Sequence, residues 1–64
     1  MDKEEIIISK LSRIDSICEH IDCVCSEIRK NFLIEDLDLH IEEIEYSIEK
    51  ITINLNMIQQ EVKK

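Results

Sequence analysis

One stretch of the 64-residue chain gathers side chains able to hold a metal or act as a nucleophile: Cys18, His20, Cys23 and Cys25, spaced C-x-H-x-x-C-x-C. Zinc needs four such ligands converging as a tetrahedron. At 100° per residue a helix carries Cys18 and Cys25 on one face and turns His20 and Cys23 to the other. The four therefore meet on one ion only if the segment is not helical, and an unbroken heptad pattern runs straight through it. The expectation is that Cys18 and Cys25 act as small buried hydrophobes in a helix core, with His20 facing solvent. In a symmetric assembly such a core cysteine faces its own copy and crosslinks on oxidation. No metal or other cofactor is expected.

Nucleophilic catalysis finds equally little. The second histidine, His40, lies on a different segment, and a Cys–His pair needs a base within hydrogen-bond reach together with an oxyanion site. The chain has no glycine to build a turn of backbone donors, which also excludes a Walker loop, a dinucleotide-binding turn and a nucleophile elbow. A non-enzymatic protein is expected.

The third chemically distinctive feature is acidic. Residues 31–49 contain Glu35, Asp36, Asp38, Glu42, Glu43, Glu45 and Glu49 with no Lys or Arg, and account for the whole net charge of −7. The run lacks the alternating oxygen ligands, central Gly and closing Glu of an EF-hand. It is read as a solvated helix face, or as a flank that docks on a basic partner through Glu42 and Glu43. Six lysines and two arginines form no stripe, so phosphate neutralisation, which supplies most nucleic-acid affinity, is not expected. No apolar run approaches the roughly 18 residues of a membrane span, and the first five residues do not form a signal peptide. Three cysteines without an export signal suggest reduced thiols in a cytoplasmic compartment.

The elements that carry these residues follow from periodicity. Ile7, Leu11, Ile14, Cys18, Ile21, Cys25, Ile28 and Phe32 are spaced 4, 3, 4, 3, 4, 3, 4. So are Leu37, Ile41, Ile44, Ile48, Ile51, Leu55, Ile58 and Val62. Each set is a coiled-coil-like core row. The two are out of phase by two residues, which no continuous stutter or stammer produces. Arg29 and Lys30 before the slip, and Glu35, Asp36 and Asp38 after it, complement the ends of two helix dipoles. Asn31 suits a left-handed helix C-terminus and Asp36 an N-cap. The expected fold is all-α: one domain over 1–64, with helix one at about 3–30, a loop at about 31–35 and helix two at about 36–63. These fold back as an antiparallel αα-hairpin and assemble into a four-helix bundle. The apolar Phe32-Leu33-Ile34 would then cover the open end of the bundle. The alternative is one long bent coiled-coil helix of roughly 95 Å at 1.5 Å per residue.

Helix one has a wide apolar band, because Ile6, Ile17 and Val24 flank its core row. Helix two is apolar on two sides, since Leu39, Tyr46, Ile53 and Met57 line up roughly opposite its core row. A lone hairpin has one neighbouring helix to offer, and an exposed apolar patch marks an interaction site. Glu45–Glu49 and Asp15–Glu19 repel at i, i+4, and chains this short draw little from a private core. Packing against something else is therefore expected. The function read from these residues is a small protein–protein interaction module (adaptor, regulator or subunit). It binds a heterologous helical partner through Leu39, Tyr46, Ile53 and Met57 and the acidic flank. One alternative is a self-assembling homodimer or higher oligomer. A remote one is an RNA-binding hairpin dimer. In overall plan alone, the chain resembles plasmid RNA-binding hairpin regulators and the short hairpin co-chaperones of type III secretion needles, with no shared residue motif.

Fourteen isoleucines beside no Ala, Gly, Pro or Trp also match coding by an AT-rich genome, a bias that leaves the periodicity untouched.

Overall fold

The computed structural model describes residues 2–64 as two helices packed side by side, α1 (Lys3–Lys30) and α2 (Ile34–Lys63). No strand occurs among the described residues. The Cα envelope is 47 × 15 × 12 Å, the length of one helix of 28–30 residues at 1.5 Å per residue. This is the expected all-α hairpin, and one long bent helix is ruled out.

The reversal is tighter than the expected 31–35 loop. It takes only Asn31, Phe32 and Leu33, and α2 begins at Ile34. Asn31 has φ −128° and ψ 71° rather than a left-handed conformation, and no described residue has positive φ. Its N–H still closes α1 by donating to the Glu27 carbonyl at 3.0 Å. Leu33, not Asp36, is the N-cap of α2, and it provides no side-chain cap. Asp36 is drawn inside the first turn, where its N–H donates to the Leu33 carbonyl at 3.1 Å and its charge still meets the helix dipole. Phe32, Leu33 and Ile34 do not fold over the bundle end. They are exposed, because a three-residue link has no slack to turn them inward.

Assigning heptad letters with Ile7 and Leu37 as d explains the packing. The d residues of both helices (Ile7, Ile14, Ile21, Ile28; Leu37, Ile44, Ile51, Ile58) are half-buried between them. The other row in the seam is g: Lys10, Ile17 and Val24 on α1, and His40, Ser47, Asn54 and Glu61 on α2, all buried or half-buried. The expected a positions are not core. Leu11, Cys18, Phe32, Ile41, Ile48, Leu55 and Val62 are exposed, and Cys25 is half-buried. The cause is the width of the α1 band. With Ile17 and Val24 on g, its centre lies on d, and the hairpin closes on the d–g edge instead of the a–d edge. Cys18 and Cys25 are consequently not the sequestered hydrophobes expected, and Cys23 is exposed as well.

The seam is thin. Val24 is the single buried hydrophobic among the described residues, at 6% exposure, and its buried companions Ser47 and Asn54 are polar. Each polar side chain donates to a carbonyl of its own helix. Ser47 Oγ donates to the Glu43 carbonyl at 3.1 Å and Asn54 Nδ2 to the Lys50 carbonyl at 2.8 Å, the i−4 back-bonding open to short polar side chains in helices. Asn54 Oδ1 is buried without a partner.

Candidate interaction surfaces

Closing on d and g leaves a flat two-helix layer with two broad sides. At 100° per residue, a lies about 70° from the centre of the d–g edge. Because the helices run antiparallel, the a rows of both fall on the same side of the layer. This front face presents Leu11, Cys18 and Cys25 from α1 beside Ile41, Ile48, Leu55 and Val62 from α2. Its large residues are 44–62% exposed, and no charged residue stands between Leu11 and Cys25 on the α1 row or Ile41 and Val62 on the α2 row.

The opposite, back side is mixed. Leu39, Tyr46 and Ile53 occupy f on α2 and Met57 the neighbouring c position, about 60° away. All four are exposed, Leu39 most (68%) and Met57 least (42%). The stripe named from the sequence therefore forms one continuous exposed strip. On the α1 half of this side, Arg13, Ser16 and Ile17 share a shallow groove with Lys50, Ile53 and Asn54. Lys50 Nζ sits 4.6 Å over the Tyr46 ring, a cation–π contact that tucks the lysine against the strip.

The two acids expected to act together are separated. Glu43 reaches across the back groove to His20, Nε2 to Oε1 3.4 Å, while Glu42, one residue and 100° away, points outward from the outer edge of α2. His20 is solvent-facing, as its position on helix one implied, but it has this partner. Sequence reasoning missed the seam's polar row because a search for apolar periodicity skips it. The signal was present as His40, Ser47, Asn54 and Glu61, four polar residues at an unbroken seven-residue spacing.

Cys18, His20, Cys23 and Cys25 are not brought together. No group of three or more His, Cys, Asp or Glu side chains among the described residues is arranged to hold a metal ion. Nor is any helix long and apolar enough to cross a membrane. No family model matches the chain, and no curated protein or solved structure matches it.

Proposed function

We propose that the protein is a helical protein–protein interaction module whose back strip of Leu39, Tyr46, Ile53 and Met57 receives an amphipathic helix of a partner protein. The observation that carries it is an imbalance of burial. Thirteen large hydrophobic residues are exposed while one hydrophobic residue is buried, among the described residues. A chain in this condition is completed by what it binds. From Leu39 to Met57 the strip runs about 27 Å, five turns of helix at 1.5 Å per residue, the scale of helix-in-groove recognition. Glu35, Glu42 and Glu49 follow its outer edge, and Asp36 and Glu43 its inner edge, so the partner helix carries Lys or Arg beside its apolar anchors. Such rim charges act mainly on association rate and its salt dependence. No catalytic step is assigned to the protein.

The test uses the tagged full chain recovered from its own cells, alongside a Tyr46→Glu, Ile53→Glu variant and a Glu42→Lys, Glu43→Lys variant. The partner is expected to vanish with the first variant. With the second it should bind more weakly and with a flatter dependence on salt. Partners recovered equally by all three forms would defeat the proposal.

A further inference from the structure

Resting on the interaction-module reading, we propose that the front face is covered by a second copy of this chain, turned end for end. The loop end of one hairpin then lies over the chain-terminal end of the other, in a four-helix layer pair.

Three observations lead there. The a rows of both helices are apolar, and Asp15 and Asp22 on α1 with Asp38 and Glu45 on α2 form a charged rim at the neighbouring e positions. With these paired rows, the face is complemented by another two-helix layer rather than a single helix. Its extent fits: the 47 × 15 Å Cα outline gives a footprint of about 700 Å², close to the roughly 800 Å² per partner of a stable complex. Charge then fixes the orientation. Residues 18–47, the loop half, carry nine acids and two bases, a net −7. The remaining residues carry six acids and six bases, a net zero. A copy stacked loop over loop sets −7 against −7 across helix axes about 8–10 Å apart, within about one Debye length at physiological salt. Turning it end for end sets each −7 against a neutral half.

That orientation has a stereochemical signature. The two-fold axis lies in the interface and crosses the helices at mid-length, so each helix lies antiparallel over its own copy. Cys18 stands near the middle of α1 and Ile48 near the middle of α2, both on the a row. Cys18 therefore meets the second copy's Cys18, Ile48 its Ile48, and Leu11 its Cys25. In the loop-over-loop orientation Cys18 faces Ile48 instead.

The test employs the full chain with Cys18 as sole cysteine (Cys23→Ser, Cys25→Ser) and a second form with only Cys25 (Cys18→Ser, Cys23→Ser). Mass is measured by sedimentation equilibrium. Each form is then treated with diamide, which takes the two electrons and two protons released as two thiols join. The expected result is a dimer in both cases, disulfide-linked for Cys18 and unlinked for Cys25. The two Cys25 residues stand about 21 Å apart along the axis, fourteen residues at 1.5 Å, beyond the roughly 7 Å Cα reach of a disulfide. Ile48→Glu is expected to dissociate the dimer, and Tyr46→Glu, two residues away on the back, to leave it intact. A dimer that links Cys18 only to a cysteine introduced by Ile48→Cys overturns the end-for-end orientation. A weakly helical monomer that takes up a hydrophobic dye overturns the second copy while keeping the interaction module. A rigid, fully helical monomer that excludes the dye overturns both.

Discussion

His20 Nε2 lies 3.4 Å from Glu43 Oε1, the only pairing of a basic with an acidic side chain between α1 and α2 among the described residues. Both side chains are about half exposed, so solvent screens the contact and its worth is bounded at about 0.2–1 kcal/mol. What holds the helices together must therefore be the d–g seam.

His20→Ala should accordingly move the urea midpoint little, with a loss of no more than about 1 kcal/mol. A larger loss, measured by circular dichroism at matched concentration, would show that the pair fixes the helix register.

Val24→Ala should cost much more. Val24 is the most buried apolar side chain in the seam, and trimming a buried aliphatic side chain costs about 1–2 kcal/mol. Leu39→Ala on the exposed strip should change the stability of the isolated chain by at most about 0.5 kcal/mol. Equal effects from the two would place the strip inside the fold.

Asn54→Leu should stabilise the protein. The asparagine is 8% exposed with one oxygen unpaired; leucine removes that penalty and adds apolar contact, for a gain of about 1–2 kcal/mol. At this chain length each kcal/mol raises Tm by about 4–8 °C. A lower Tm would mean that Asn54 Oδ1 has a partner in the assembled protein.

Leu33→Asp should also stabilise. Leu33 caps α2 from an extended conformation without a side-chain acceptor, and a good N-cap is worth about 1 kcal/mol. Asp also favours the positive end of the helix dipole. Thermal melts of both forms settle the sign.

Much of this architecture could be read from residue types and spacing. The 4-3 rows ending at Phe32 and restarting at Leu37, with Arg29 and Lys30 on one side and Glu35 and Asp36 on the other, marked two helices and the place between them. The exposure of Leu39, Tyr46, Ile53 and Met57 followed from their lying away from any single neighbour. The edge on which the helices meet was not legible. On α1 the apolar residues fill g, d and a, so either edge of the band will serve. On α2 the edge chosen carries Ser47 and Asn54, which apolar periodicity assigns to the outside. The short link was hidden for a related reason: with no Gly or Pro to punctuate it, only the backbone shows that α2 starts at Ile34.

Ser47 and Asn54 give their hydrogen bonds to their own helix, so no buried polar group reaches across from one helix to the other. Apart from the exposed His20–Glu43 contact and the mixed g row around Val24, Ser47 and Asn54, the two arms touch along their d rows through isoleucines and a leucine that recur every seven residues. Such a ladder has rungs but no numbering: shifted by one heptad, isoleucine would again meet isoleucine. The three residues Asn31, Phe32 and Leu33 supply the missing zero mark, since a tether that short permits a single alignment. Lengthen it and the arms could slide; cut it and either arm could pair with any other in solution. The register of this hairpin thus rests chiefly on its shortest element, the link that holds the two d rows in step.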